Sequence, residues 1–427
     1  MVYVIAKDYS PLMPTENHAK VRVLLKQGRA KVVRRTPFTI RLLYDTEHGA
    51  QETVHGVDTG SAHIGSSVYA NGKIVYASQI EVRNDIKDLM DARRKYRRTR
   101  RTRKTRYRQP RFLNRGNSTR LNRFSPTMQS KLSAHEREIK YVAKILPVSK
   151  LILETGTFDP HLLKNPELAN SIYRRWGYQQ GTNYGYPNTK AYVLARDNYT
   201  CQHCKGKHKD SKLEVHHIVY RSNGGSDNEK NLITLCHTCH KALHDGKLKK
   251  FKIKGIVKGK LLHATQMNVI RSQLLKKHPE AIETFGYVTK TNRELLNMPK
   301  DHYIDACVIA SEGRAFSLGK DVQLIVKKCQ ARHDYQKTKG VRSEQHLNTG
   351  KICGFKKFDK VRYFGKEYFI KGRMSVGYAI LMDIFGDKAD FSKMPKGYKT
   401  PKLANCKRLE ARKSWMITTE AVTPSIA

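Results

Sequence analysis

The chain has 427 residues, 82 of them Lys or Arg against 37 Asp or Glu, for a formal net charge of +45, and 39% of it is apolar. That apolar content excludes a disordered chain, and the length suits two to four domains. The charge calls for a polyanionic partner gripped through phosphates; an anionic membrane would pair with an amphipathic basic helix instead, and no run approaches 18 apolar residues.

In chain order, the first 50 residues alternate apolar and basic: VYVIA, AKVRVLLKQG and KVVRRTPFTIRLLYD predict strand, helix, strand, strand in a small basic α/β module. The segment SPLMP, Ser10 to Pro14, is turn-rich and is expected to be a linker. From Thr53 a short apolar strand carries Asp58, flanked by Gly56 and Gly60, and two further strands flank Asn71-Gly72, a type I′ hairpin signal. Residues 85 to 92 start a helix that runs into RRKYRRTRRTRKTRYR, residues 93 to 108, in which eleven of sixteen positions are Lys or Arg and none is acidic. Pro110 ends it. At 3.6 residues per turn those charges cover every face, so no protein core docks there. The alternatives are a disordered basic arm or a rod with phosphates as packing partners, and the internal position favours the rod.

Residues 111 to 125 are expected to be irregular. Ser125-Pro126 caps a helix to about Leu146, and KLILETGTFD supplies a strand ending in Glu154. Residues 161 to 190 are read as a linker into an inserted domain that opens with the helix AYVLARDN. Beyond it, HATQMNVIRSQLLKKHP is a helix, TFGYVTKTNRELLNMP a connector, and KDHYIDACVIASEG a helix presenting His302 and Asp305 three apart on one face. The basic, aromatic stretch after Val326 is expected to form short antiparallel strands, and the residues from about Trp415 a loose tail.

Within the insertion, 31 residues separate the pair Cys201 and Cys204 from the pair Cys236 and Cys239, and two such pairs clamp a tetrahedral Zn²⁺. That pattern favours metal over disulfides, as befits a reducing compartment. Between the pairs, the strand Val215-His216-His217-Ile218 puts adjacent imidazoles on opposite faces, so one can bind a metal while the other faces a water as general base. His240 and His244, four apart on the next helix, can complete the metal site. Asp58, Glu154 and Asp305, far apart in sequence, are three hard oxygen ligands; if they converge they would hold two Mg²⁺ about 4 Å apart, a phosphodiester-cleaving arrangement.

The ordered Cys, His and Asn set resembles the HNH (ββα-metal) nucleases. That resemblance implies a metal ligand at His216, the water-activating base at His217, a loop-orienting role for Asn231, and the second ligand at His240, with His244 left open. The acidic residue usual before the base is here His216, which leaves the metal preference open. GVDTGS, LILETGTFD and HYIDACVIAS resemble the three segments of a split RuvC domain of RNase H-like fold, with catalytic Asp58, Glu154, His302 and Asp305. The whole order, from PLMP through YQQG at Tyr178 to Gly181 and onward, resembles the IscB family.

The implied layout is an N-terminal PLMP module at 1–52, RuvC segment I at 53–84, an arginine-rich bridge helix at 85–110, RuvC segment II and linker at 111–185, the HNH domain at 186–246, RuvC segment III at 247–325, and a basic β-rich C-terminal domain at 326–427 that meets RNA and a target-flanking motif. Arg93, Arg94, Arg97, Arg98, Arg100, Arg101, Arg103, Lys104, Arg106 and Arg108 would bind nucleic acid. The implied activity is RNA-guided cleavage of double-stranded DNA by a cytoplasmic prokaryotic protein working as a monomeric ribonucleoprotein. HNH would cut the strand paired with a structured guide RNA and RuvC the displaced strand, with Mg²⁺ at both sites (His216 and His240 holding it in HNH) and structural Zn²⁺. The competing readings are a protein-only HNH homing or structure-specific endonuclease and an idle RNA-binding regulator.

Overall fold

A computed structural model of the chain describes residues 1–46, 49, 51–102, 124–158, 184–221, 225, 227–248, 260–319, 321–331, 351–374, 376–395 and 398–422. The chain divides into two compact units, Met1–Gly156 with Met267–Ala427, and Thr157–Gln266.

The first unit opens with a four-stranded sheet. Strands β1 (Val2–Ile5), β2 (Pro11–Thr15), β3 (Ala30–Arg34) and β4 (Thr39–Leu42) pair in the order β2-β1-β4-β3. Helix α1 (His18–Lys26) is capped by Asn17, whose side chain accepts from Lys20 N–H, and it buries Val21 and Leu24 against Val2, Val4 and Ile40. The linker expected at SPLMP is therefore corrected: Pro11–Thr15 is a strand. It lies at the sheet edge and pairs on one side only, where prolines cost least.

The large sheet follows, with β5 (Thr53–Asp58), β6 (His63–Ala70) and β7 (Lys73–Glu81) as an antiparallel meander. Asn71 at φ 45° and Gly72 at φ 78° give the β6–β7 turn the two left-handed residues of a type I′ hairpin. Helix α2 (Ile86–Thr102) comes next, then α3 (Pro126–Val142), capped by Ser125 Oγ accepting from Met128 N–H. The helix expected to reach Leu146 ends at Val142, and Ile145 and Leu146 are fully buried in the turn after it. Strand β8 (Lys150–Thr155) runs parallel to β5.

The second unit contains α4 (Thr189–Arg196), an antiparallel pair β9 (Leu213–His217) and β10 (Leu232–Cys236), and α5 (His237–His244). Its small core consists of Leu235, Leu243 and the four cysteines of the two pairs.

Helix α6 (Lys260–Lys277) returns the chain to the first unit, where Ile270 and Leu274 join the large core. The expected connector is instead β11 (Ile282–Phe285) and α7 (Gly286–Leu295), with β11 parallel to β8 and Thr284 opposite Glu154. Helix α8 (His302–Ala310) follows, then β12 (Ser317–Leu318) and β13 (Gln323–Cys329). A second small sheet, β14 (Lys360–Tyr363), β15 (Lys366–Arg373), β16 (Ala379–Met382) and β17 (Lys407–Glu410), is antiparallel in the order β16-β15-β14-β17. The loose tail expected from Trp415 is the strand β18 (Trp415–Ala421), paired antiparallel with β13 along its length and burying Trp415, Met416 and Ile417. The boundary placed at 325/326 thus falls inside β13, which with β18 extends the large sheet beyond β7.

The large sheet is covered on both faces. On one, Val57, Ile64, Val68, Tyr76 and Ile80 meet Leu132, Ile139 and Val142 of α3. There Lys327 and Glu138, both with fully buried side chains, pair at 2.6 Å and share Tyr76, whose hydroxyl donates to Glu138 at 2.7 Å. Burial would raise the Glu138 carboxyl, but Lys327 outweighs it and holds Glu138 below its usual range. On the other face α8 lies almost on the strands. A Cβ at Gly65 would come 1.9 Å from the His302 carbonyl oxygen, and one at Gly56 2.4 Å from Ala310 N. Among the described residues no helix is long and apolar enough to cross a membrane.

Candidate metal centres

The α8 face of the large sheet gathers the carboxylates. Asp58 and Glu154 end neighbouring parallel strands in direct register, and α8 brings His302 and Asp305 over them. His302 Nδ1 lies 2.6 Å from Asp58 Oδ2, and the His302 ring stacks on His63. The hydrogen bond to Asp58 raises the His302 pKa. Burial, then the Asp58 charge, push Glu154 up to about 7, and burial also raises Asp305. Glu154 Oε2 is buried with no hydrogen-bond partner. Asp305 Oδ1 sits 2.8 Å from Arg293 Nε, too far out of line for a hydrogen bond. Unpaired buried oxygens and mutually repelling carboxylates are the donor set that suits a hard cation such as Mg²⁺. Gly56 and Gly60, which flank Asp58, let other backbone come close. Gly56 meets α8, and a Cβ at Gly60 would lie 2.0 Å from the His63 carbonyl oxygen.

In the second unit the histidine strand behaves as its alternation requires. His216 is buried and faces α5, where the ligand atoms of His216, His240 and His244 all lie within 4.8 Å of one another. His244 is thus as well placed as His240. Burial, then the two neighbouring imidazoles, hold His216 down to about 4, and burial also lowers His240, so these rings are neutral at pH 7 and free to coordinate. His240 Nδ1 contacts Glu214 Oε2 at 2.6 Å, which leaves Nε2 for the centre. Three imidazoles suit a borderline transition cation, whereas Mg²⁺ demands oxygen ligands; the Mg²⁺ expected on His216 and His240 does not fit this donor set.

On the other strand face, His217 Nε2 lies 2.7 Å from Asp227 Oδ1, and Arg221 holds the same oxygen at 2.6 Å. Asn231 is fully buried, its Oδ1 accepting from Val219 N–H at 2.8 Å and its Nδ2 donating to Val219 O at 3.0 Å, so it fixes the loop after the histidine strand.

The four cysteines of the two pairs form a second cluster, all buried, with their sulfur atoms within 4.8 Å of one another. Cys204 and Cys236 Sγ are 3.8 Å apart, and sulfurs about 2.3 Å from a tetrahedral Zn²⁺ lie about 3.8 Å from each other. The His208 amide draws the Cys204 thiol down to about 6, while burial raises Cys236 and Cys239. All eight cysteines of the chain are free thiols, and this cluster fits a structural zinc.

Along α2, Arg93, Arg94, Lys95, Tyr96, Arg97, Arg98 and Thr99 are exposed in unbroken succession, so exposed side chains fall on every side of this part of the helix. Arg100 and Arg101 belong to the helix, while Arg103, Lys104, Arg106 and Arg108 lie outside the described residues.

Sequence reasoning missed several partners. Glu214 was within reach, since it shares a strand face with His216 two residues on. Arg293 was hidden by the reading of α7 as a connector. Asp227 and His63 carry no local signal, because only tertiary structure brings them to His217 and His302.

Residues 2–181 match the family model described as RRXRR protein, and residues 201–246 match the HNH endonuclease model. A 68-residue segment is 37% identical to the type IV methyl-directed restriction enzyme EcoKMcrA of Escherichia coli strain K12, covering 14% of this chain and 24% of the enzyme. A 66-residue segment is 35% identical to anaredoxin of a Nostoc species, covering 16% of this chain and 84% of that protein. Among solved structures, Streptococcus thermophilus Cas9 in complex with the AGAA PAM is similar at 11% identity and a TM-score of 0.32, over 58% of this chain and 32% of that one. The chain thus spans about a quarter of the restriction enzyme and a third of that Cas9.

Proposed function

Since the chain belongs to the RuvC/HNH nucleases of the IscB type, we propose that it is an RNA-guided DNA endonuclease with two separate cutting sites. The observation that carries the guided reading is α2. Five cations between Arg93 and Arg98 are exposed in close succession around one helix, more than one face of a DNA duplex can neutralise, whereas a folded RNA can surround them. Sequence choice is then delegated to base pairing while the protein grips backbone.

The large sheet supports a RuvC assignment of RNase H-like fold. Its order β11-β8-β5-β6-β7, an antiparallel meander followed by two parallel strands, is what that fold requires, and Asp58, Glu154 and Asp305 meet at the strand ends. These carboxylates would hold Mg²⁺, which would supply an activated water and charge stabilisation for the leaving oxygen. Arg293 offsets the charge of Asp305, and His302 is oriented by Asp58.

In the HNH unit His217 is the general base. With Nε2–H donating to Asp227, Nδ1 carries the lone pair that takes a proton from the attacking water. His216, His240 and His244 would hold a divalent transition cation that polarises the scissile phosphate. The HNH site cuts the guide-paired strand and the carboxylate site the displaced one. The basic β14–β17 sheet is assigned to RNA and a target-flanking motif. The likeness of a 68-residue segment to a restriction enzyme favours, as the second reading, a protein-only endonuclease. Exchanging the guide tests between them. On the guided reading RNA-free protein leaves a matched duplex intact, and a new guide moves the cut to its own match; guide-independent cutting by RNA-free protein would leave the protein-only reading standing.

A further inference from the structure

The turn that joins β5 to β6 leads from Asp58 to a second histidine, His63, and it is held from three sides. The Thr59 hydroxyl donates to the Glu154 carbonyl oxygen of β8, Lys131 Nζ of α3 donates to the Ser61 carbonyl, and Val82 N–H, just past β7, donates to the Ala62 carbonyl at 2.8 Å. Gly60 lets the turn close tightly on the His63 carbonyl, and His63 then opens β6 opposite Glu81 of β7. A backbone fixed this way sets the place of the half-buried His63 side chain, which lies against the first residue of α8.

That residue is His302. Its backbone N–H donates to Asp301 Oδ1 at 2.7 Å, and its Nδ1 meets Asp58 Oδ2 at 2.6 Å. With Nδ1 as the donor to the carboxylate, Nε2 carries the lone pair, on a side chain that is 41% exposed. One hydrogen bond at one nitrogen does not fix the ring plane, because the outer torsion of histidine is broad and roughly two-fold. The His63 ring supplies the second constraint: the two rings stack with centroids 5.2 Å apart and planes 18° from parallel. Stacking of this kind favours the paired orientation by about threefold to tenfold.

We propose that His63 is a positioning residue for cleavage at the carboxylate site: by stacking, it fixes the plane of His302 so that Nε2 stays available to the reacting strand. The inference rests on the reading of that site as the one that cuts the displaced strand. His63 needs no contact with substrate or cation for this role, which lies in the flat face of its ring and not in its nitrogens. Another aromatic ring should therefore serve, and a methyl group should not.

The test uses the full-length protein with guide RNA and a matched duplex labelled on each strand, under single-turnover conditions. His63→Ala should slow displaced-strand cutting by about threefold to tenfold at saturating duplex, with the paired-strand rate and duplex affinity within about twofold of wild type. His63→Phe should bring the displaced-strand rate back to within about twofold of wild type. Crystal structures of the two variants should show His302 in one orientation beside Phe and in more than one beside Ala. A His63→Ala rate equal to wild type, or an unchanged single orientation of His302 in that variant, would overturn the proposal. So would His63→Phe cutting as slowly as His63→Ala, which would assign the effect to the imidazole nitrogens, and so would an equal loss of both cuts in His63→Ala, which would mark a fold or binding defect. His302→Ala, run in parallel, separates this inference from the reading beneath it. Displaced-strand cutting by His302→Ala at the wild-type rate would bring down both, whereas a slow His302→Ala beside an unaffected His63→Ala would end the positioning role alone.

Discussion

The carboxylate site and the histidine site solve one problem in opposite ways. The first is assembled from residues as far apart as Asp58 and Asp305, held in place by strand register and by a helix pressed onto two glycines. The second is built within the span from His216 to His244, on a unit whose small core is largely its own metal ligands. A site drawn from distant segments depends on a large apolar core; a site drawn from one segment can depend on a metal. Each should therefore break by a different means.

The largest effect is expected from Cys201→Ser with Cys204→Ser. Structural zinc contributes on the order of 10 kcal/mol to units of this kind, so the second unit should unfold and paired-strand cutting should vanish. Elemental analysis should show the structural zinc lost while nicking of the displaced strand persists; zinc retained in full would remove the tetrahedral site from the account. Next is Gly65→Ala, which drives a methyl into the His302 carbonyl and displaces α8 with Asp305. Destabilisation of about 2 kcal/mol by chemical denaturation, with displaced-strand cutting lost and paired-strand cutting kept, is the expected outcome.

A subtler difference lies in the structural histidines of the first unit. His55 and His135 are fully buried, and burial holds each down to about 4 against an ordinary 6.5. Below pH 6.5 the unfolded chain takes up protons that the folded chain refuses, so stability is full above 6.5 and falls as pH drops toward 4. Each histidine accounts for roughly 3 kcal/mol of that fall. Unfolding of His135→Gln followed from pH 7 to 4 should show a shallower decline than wild type; identical slopes would mean that His135 is not the group titrating.

The histidine site was legible in the sequence because its signals are local: two Cys pairs, adjacent histidines on a strand, and two more four apart on a helix. At the carboxylate site the ligands could be named, but convergence depends on β5 and β8 lying parallel in register, which no local pattern encodes. The errors share a cause. Pro-rich β2 and Gly-opened α7 carry breaker residues that a sheet edge and a helix N-terminus accommodate. Trp415 was taken for a tail because its partner strand β13 lies some ninety residues earlier.

The central claim is that two independent centres cut different strands. A guide-matched duplex labelled separately on each strand, exposed to wild type, Asp58→Ala and His217→Ala, tests it most directly. The account predicts that wild type cuts both strands, that Asp58→Ala cuts only the guide-paired strand, and that His217→Ala cuts only the displaced one. Loss of both cuts in either variant, or both cuts surviving, would contradict it.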